Sequence, residues 1–230
     1  MNVIRCKVAL VGDSKVGKTN IANQLTKKNF NNTYQTTLGI DYSHHDIEIK
    51  DTNYTVQFHI LDFTGFSTFR ETINNLITDC NFILFVFDLT NLESFQNIKL
   101  WKGLINDLNI KKNTVQYLIG NKNENPDKIK VDQTSIDSIS SALKMKSYNV
   151  SAKMNTNLNE LFQEMAKTHY DNYINFINKI KNLNEGKDKI QKFLKLIKFI
   201  VIQFKQKNKC FLFNHTSFKN NSPKNNTLRI

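Results

Sequence analysis

One stretch near the N-terminus reads Gly12-Asp13-Ser14-Lys15-Val16-Gly17-Lys18-Thr19. The apolar run Cys6–Val11, typical of a buried strand, comes before it, and a helical pattern follows. This is the spacing G-x-x-x-x-G-K-[ST] of a phosphate-binding loop, with an ordinary glycine turn as the alternative. The glycines let backbone N–H groups turn inward around a polyphosphate, and the helix N-terminus adds partial positive charge. The stretch predicts that Lys18 reaches the terminal phosphates and that the Thr19 hydroxyl ligates Mg²⁺.

The positive charge of the chain is concentrated in its last quarter. The whole chain has 230 residues and a formal charge of +12, enough length for one domain and an extension. Residues 1–170 hold 19 Lys/Arg against 17 Asp/Glu, whereas residues 171–230 hold 13 against 3. A basic tail on a near-neutral domain suits an anionic membrane surface or another polyanion, and nucleic acid is not expected as a partner. Three cysteines in dissimilar sequence settings do not indicate a disulfide framework, which predicts a reducing, cytoplasmic compartment.

Strand-like and helix-like patterns alternate through the first 170 residues. Short apolar runs predict buried strands, and alternating runs predict a hairpin at the sheet edge, turned at Asp51-Thr52-Asn53. In chain order the predicted strands are Val8–Val11, Ser43–Lys50, Thr55–Leu61, Phe82–Asp88, Val115–Gly120 and Tyr148–Val150. Helices are predicted at about 15–28, 92–107, 132–145 and 157–180. This order predicts an α/β fold, a mostly parallel sheet between helices, with ligands at the carboxyl ends of the strands.

Further polar blocks follow those strand ends. Asp62-Phe63-Thr64-Gly65 is a D-x-x-G turn, in which Asp62 would act on Mg²⁺ and the Gly65 N–H could approach a terminal phosphate. Gly120-Asn121-Lys122-Asn123-Glu124 and Ser151-Ala152-Lys153 follow two later strands. Thr37 lies in a loop where its hydroxyl could close over the metal ion.

These blocks, in this order, resemble the Ras superfamily of small GTPases and in particular the Rab branch. Rab-like stretches include Thr37-Leu38-Gly39-Ile40-Asp41-Tyr42 and the run from Phe85 to Phe95, which continues to Trp101. The resemblance covers about residues 4–170. It implies a three-layer P-loop fold with a six-stranded sheet, one antiparallel edge strand and about five helices.

The resemblance also implies a function. The chain would be a switch of vesicle traffic that binds GTP and GDP with Mg²⁺ and hydrolyses GTP to GDP. Its expected partners are a guanine nucleotide exchange factor, a GTPase-activating protein and effectors. It would work as a monomer. Its expected location is the cytoplasm, as a peripheral protein on the cytosolic face of endomembranes.

By this resemblance the site residues fall into three groups. Mg²⁺ would be held by Thr19, Thr37 and Asp62. Phosphate and other nucleotide contacts, including those of the switches, are expected from Gly12, Asp13, Ser14, Lys15, Val16, Gly17, Lys18, Asn20, Tyr34, Thr37 and Gly65. The guanine base would be framed by Phe30, Asn121, Lys122, Glu124, Ser151, Ala152 and Lys153.

Several residues depart from the family pattern. Phe66 stands where the family has the glutamine that orients the attacking water, so hydrolysis is expected to be slow. The alternative is that Phe66 packs in a mobile loop while the water is positioned otherwise. Glu124 replaces the usual aspartate, which predicts guanine preference with weaker affinity. Lys15 replaces a common glycine, and Leu61 and Ser67 replace the usual tryptophan and glutamate, which predicts an altered effector-reading surface between the switches.

The C-terminal part predicts a separate extension. We expect a GTPase domain at residues 1–175 and a basic extension at 176–230, with a disordered end from about residue 214. An amphipathic helix at about 189–205 places apolar residues on one face and lysines on the other, as in helices that lie in a membrane interface. Cys210 is a possible acylation site in a chain that does not end in a prenylation motif.

Other interpretations stay open at this point. The extension could pack on the domain, bind a protein or be weakly ordered. The whole chain could be a nucleotide-binding scaffold that barely cycles, or a membrane-binding protein driven by its tail.

Overall fold

The computed structural model describes residues 1–26, 37, 39–64, 76–183 and 197. The chain divides into two units, Met1–Tyr173 and Ile174–Ile230. The predicted amphipathic helix (apart from residue 197), Cys210 and the C-terminal end lie outside the described residues. In the described part of the chain, no helix is long and apolar enough to cross a membrane.

The segments predicted as strands form a six-stranded sheet. Its strands are β1 (Asn2–Val11), β2 (Ile40–Glu48), β3 (Tyr54–Phe63), β4 (Phe82–Asp88), β5 (Val115–Asn121) and β6 (Lys146–Asn149). The strand order is β2-β3-β1-β4-β5-β6, and all neighbouring pairs are parallel except the hairpin β2–β3. The predicted mostly parallel sheet with one antiparallel edge strand is therefore confirmed.

Helices connect the strands on both faces. They are α1 (Lys18–Leu25), α2 (Leu92–Gln96), α3 (Ile98–Asn106), α4 (Gln133–Leu143) and α5 (Leu158–Leu183), with a short 3₁₀ turn at Pro126–Lys128. The prediction of one helix at 92–107 was wrong in detail, because Asn97 separates α2 from α3. The first helix begins at Lys18 and not at residue 15, because Lys15 and Gly17 have positive φ angles.

Each face of the sheet carries its own hydrophobic cluster, because side chains alternate between the two faces along a strand. In β4, Leu84 and Val86 pack on the side of α1 and α5, where the rings of Phe58 and Phe162 meet edge to face. Phe85 belongs to the other cluster, with residues of α2, α3 and α4. All seven residues of β4 are buried, as expected for a strand covered on both faces.

The parallel strands bring their carboxyl ends to one edge of the sheet. The loops that follow β1, β3, β5 and β6 therefore start at the same edge, although they are far apart in sequence. These are the loops that carry the polar blocks of the sequence.

Candidate nucleotide-binding site

The loop between β1 and α1 is packed so tightly that its glycines are required. Gly12 has a φ angle of +140°, and a Cβ atom there would lie 2.1 Å from the carbonyl oxygen of Val86. Gly17, at the N-cap of α1, has a φ angle of +98°, and its Cβ would lie 2.3 Å from Nδ2 of Asn121. The loop is thus pressed against β4 and β5 with its backbone in conformations that glycine favours.

An alanine at position 12 should test this packing directly. Gly12→Ala should lower the free energy of unfolding by about 3 kcal/mol or more, because the new methyl meets a backbone atom and the φ angle is unfavourable. Gly103→Ala is the matched control: among the described residues, no atom beyond its chain neighbours and the backbone of its own helix would lie within 4 Å of its Cβ, and an alanine in α3 should stabilise by about 0.5–1 kcal/mol. Urea unfolding of the two variants measures the difference, and equal midpoints would contradict the geometry.

Lys18 is a buried cation. Lys18 is only 6% exposed. Its Nζ donates to the carbonyl oxygen of Gly12 at 2.8 Å and to that of Asp13 at 2.6 Å. Burial lowers the pKa of Lys18 from 10.5 to about 8, against the opposing attraction of the Asp62 and Asp13 carboxylates. A buried positive charge is costly unless it is paired. A phosphate bound by this loop would supply the negative partner for the Lys18 ammonium.

Two hydroxyl groups converge on the carboxylate of Asp62. Oγ1 of Thr19 donates to Oδ2 of Asp62 at 2.5 Å, and Oγ1 of Thr37 lies 3.2 Å from the Thr19 hydroxyl and 3.5 Å from the same Oδ2. The other oxygen, Oδ1, is buried and has no hydrogen-bond partner among the described residues. Burial raises the pKa of Asp62, although the hydrogen bond from Thr19 lowers it.

This arrangement fits a magnesium ion bound together with phosphates. An unpartnered buried carboxylate oxygen beside two hydroxyls is a place where a hard cation would be stabilised. The described part of the chain contains no group of three or more His, Cys, Asp or Glu residues placed to hold a metal ion. Mg²⁺ is commonly held by one or two protein groups, water and substrate phosphates. When bound, it would neutralise charge on the phosphates during hydrolysis.

Asn121 joins the loops on the other side of the site. It is 2% exposed, donates through Nδ2 to the carbonyl oxygen of Val16 at 2.9 Å, and accepts through Oδ1 from the N–H of Ala152 at 3.0 Å. The amide therefore ties the phosphate loop to the loop after β6. Gln24 of α1 adds a second tie by donating to the carbonyl oxygen of Ala152 at 2.7 Å.

Glu124 and Ser151, both expected near the base, are hydrogen-bonded to each other. The Ser151 hydroxyl donates to Oε2 of Glu124 at 2.7 Å, and Ser151 is buried. This contact orients the longer carboxylate through one of its oxygens. Lys122 lies nearby, but its Nζ pairs with Oδ2 of Asp88 at 2.7 Å.

The remaining predicted site residues divide into two groups. Ser14 and Asn20 are half-buried beside the loop, whereas Lys15 and Lys153 are exposed. The other four, Phe30, Tyr34, Gly65 and Phe66, lie outside the described residues, as does Ser67. Leu61 is buried at the β2–β3 hairpin opposite Tyr42, which is 52% exposed.

Sequence reasoning missed two residues of this site, Asp88 and Gln24. Asp88 could have been found from the sequence, because it is a carboxylate at the end of a fully buried strand. Gln24 gave no signal, because its partner is a backbone oxygen 128 residues away.

Comparison with known proteins agrees with this geometry. The sequence profile described as the Ras family matches residues 7–171. The chain is similar to Ras-related protein Rab-13 from Bos taurus, with 31% identity over 161 residues, 70% of this chain and 78% of that protein. Over the same shares of both chains it is 32% identical to Rab-13 of Mesocricetus auratus and 30% identical to that of Rattus norvegicus. The chain therefore belongs to the Ras family and is a Rab-like small GTPase of vesicle traffic, a GTP hydrolase that binds GTP and GDP with Mg²⁺.

Proposed function

We propose that this GTPase binds its nucleotide at the carboxyl edge of the sheet and stays in the GTP-bound state for long periods. The single observation that carries the assignment of the site is a buried Lys18 ammonium at the same end of the sheet as a buried Asp62 carboxylate, one oxygen of which has no partner among the described residues. A buried cation and a buried carboxylate oxygen are both costly unless a ligand compensates them. A triphosphate with Mg²⁺ supplies the two complementary charges at once.

Thr37 provides the link from the nucleotide to the first switch. Its hydroxyl already lies within hydrogen-bond distance of Thr19 and Asp62, the two other proposed magnesium ligands. The terminal phosphate would add contacts to Thr37 and to the segment of Gly65. Hydrolysis removes those contacts, so both segments would relax, which is the order–disorder change that effectors recognise.

The nucleotide content of the purified protein tests the proposed site. Protein precipitated under mild acid should release GDP or GTP in about one equivalent, and removal of Mg²⁺ with a chelator should release the nucleotide from the native protein. Protein that carries adenine nucleotides, or none at any Mg²⁺ concentration, would contradict the proposal.

Glu124 should make guanine binding weaker than in a matched aspartate variant. Glu124→Asp should tighten GDP binding about ten-fold, because the shorter side chain needs no folding of an extra methylene to accept two hydrogen bonds from the base. Competition titrations with GDP and ADP measure affinity and base preference together. Asp127→Glu, a nearby carboxylate change in the exposed 3₁₀ turn, is the control. Tighter binding in the wild type would show that Glu124 is not oriented as proposed.

The chain is proposed to reach the cytosolic face of endomembranes through its basic extension, as a monomer. Members of this family are loaded by exchange factors, inactivated by GTPase-activating proteins and recognised by effectors. Beyond these, 13 Lys/Arg against 3 Asp/Glu in residues 171–230 favour an anionic lipid surface as a further partner.

Neutralising four lysines should test the membrane contact. The variant with Lys189, Lys192, Lys195 and Lys198 changed to Gln should bind vesicles with anionic lipids at least about 100-fold more weakly, since each lysine contributes about 1 kcal/mol near such a surface. Co-sedimentation with anionic and neutral vesicles measures the loss. Lys99, Lys112, Lys128 and Lys130→Gln removes the same charge from the GTPase domain and should leave binding nearly unchanged. Equal binding by wild type and tail variant would refute the contact.

A further inference from the structure

The carboxylate of Asp13, in the phosphate loop, is held by two side chains from a distant part of the sequence. Its Oδ2 accepts from Nδ2 of Asn97 at 2.8 Å, and its Oδ1 accepts from Nε1 of Trp101 at 2.7 Å. Each carboxylate oxygen thus has its own donor. Hydrogen bonds to an ionised group are stronger than neutral ones, and two of them fix both the position and the orientation of the carboxylate.

Asn97 and Trp101 are spaced to act together. They are four residues apart, and the N–H of Trp101 donates to the carbonyl oxygen of Asn97, so both side chains lie on one helical face. Trp101 is 5% exposed and packs in the hydrophobic cluster with Phe85 and Phe87. A buried indole has a single donor that needs a partner, and its ring cannot move without disturbing the core. The helix therefore presents a rigid pair of donors to the loop.

Asp13 passes this constraint to the residue that would contact phosphate. Its carbonyl oxygen accepts from Nζ of Lys18 at 2.6 Å, so one residue is bound both to the helix pair and to the buried ammonium. On the opposite side, Asn121 holds the carbonyl oxygen of Val16. The phosphate loop is consequently fixed from two sides, by β5 through Asn121 and by the α2–α3 junction through Asp13.

We propose that Asn97 and Trp101 are positioning residues of the phosphate loop, which hold Asp13 and thereby slow the release of bound nucleotide. This inference rests on the proposed nucleotide site, on which both residues act through Asp13. The loop offers its backbone N–H groups to the phosphates only in one conformation, so loss of either donor increases the fraction of time that the loop spends out of it.

The chain offers a direct spectroscopic reporter, because Trp101 is its only tryptophan. The indole N–H gives one separate proton–nitrogen signal in the full-length protein. A hydrogen bond to a carboxylate shifts that signal to higher frequency and protects it from exchange with water. Loss of Asp13 should therefore change it, whereas a change elsewhere on α3 should not.

Release of a fluorescent GDP analogue into excess GDP, with Mg²⁺ present, tests the proposal. Trp101→Phe keeps an aromatic ring without the N–H, and Asn97→Ala removes the amide. Each should release the probe about ten-fold faster than the wild type, the scale of one hydrogen bond to a charged group. Asn106→Ala, at an exposed position of α3, should release it at the wild-type rate.

A double-mutant comparison separates positioning from general stability. Asp13→Ala should accelerate release, and adding Trp101→Phe to it should cause no further acceleration, because the indole acts through that carboxylate. Asp13→Ala should also shift the indole signal of Trp101, and Asn106→Ala should leave it in place.

Two results would overturn the proposal alone: wild-type release rates in Trp101→Phe, or full additivity in the double variant. A wild-type chain that binds no guanine nucleotide would overturn the proposed function, and this proposal with it.

Discussion

Replacing Lys18 by methionine should abolish tight nucleotide binding and also remove a pH dependence from the stability of the nucleotide-free protein. The binding loss should be about 100-fold or more, because the ammonium group is placed to make charge-assisted hydrogen bonds to phosphate. Methionine keeps the length and apolar stem of the side chain. Titration with a fluorescent GDP analogue measures this part of the effect.

The pH dependence follows from the burial of a positive charge. The pKa of Lys18 is about 8 in the folded chain and 10.5 when the group is exposed. Between these values the unfolded state binds more protons, so the free energy of unfolding should rise with pH from about 8 and level off near 10.5. The rise is roughly 3 kcal/mol for a group that is this deeply buried.

Two cysteines act in the opposite direction and make a control necessary. Burial raises the pKa of Cys6 and that of Cys80, the latter to about 12, so their thiols ionise first in the unfolded state. Above about pH 9 they lower stability as the pH rises. The quantity to compare is therefore the difference between wild type and Lys18→Met, measured by urea unfolding without nucleotide or Mg²⁺ from pH 7 to 9.5. A difference that stays constant over this range would show that Lys18 is not a buried cation in the free protein.

Such a residue illustrates how much of the site the sequence can predict. Gly12, Gly17 and Lys18 belong to a loop with positive φ angles that precedes a helix. This local structure depends on eight consecutive residues, so their types and spacing are enough to predict it. Buried apolar runs predict parallel strands, and parallel strands bring their ends together. The sequence alone therefore places Asp62 and Asn121 at one edge of the sheet.

The contacts that lock the site are of another kind. Trp101 donates to Asp13 across 88 residues, and Lys122 pairs with Asp88 rather than standing alone. Such partners depend on the register of strands and on the rotation of a helix about its axis. Neither quantity leaves a periodic signal in the sequence, because many rotations bury the same apolar stripe. The helix boundary at Asn97 also gave no signal in the sequence, because the apolar spacing continues through it.

Phe66→Gln should raise the intrinsic rate of GTP hydrolysis about 100-fold while leaving GTP affinity nearly unchanged. An amide at this position can hold the attacking water in line with the terminal phosphate, whereas a phenyl ring has no donor or acceptor, and a misplaced nucleophile costs about this factor. Single-turnover hydrolysis of radiolabelled GTP, started by adding Mg²⁺ to the loaded protein, measures the chemical step without product release.

Phe66→Leu is the matched control, because it changes the size of the side chain without adding a polar group. It should hydrolyse GTP as slowly as the wild type, so acceleration by both variants would point to relief of crowding. Equal rates in wild type and Phe66→Gln would mean that another group of this chain positions the water, and the long-lived GTP state would then have no basis in this residue. A fast glutamine variant and a slow leucine variant would instead assign the slow cycle to one missing amide, which a partner protein could supply.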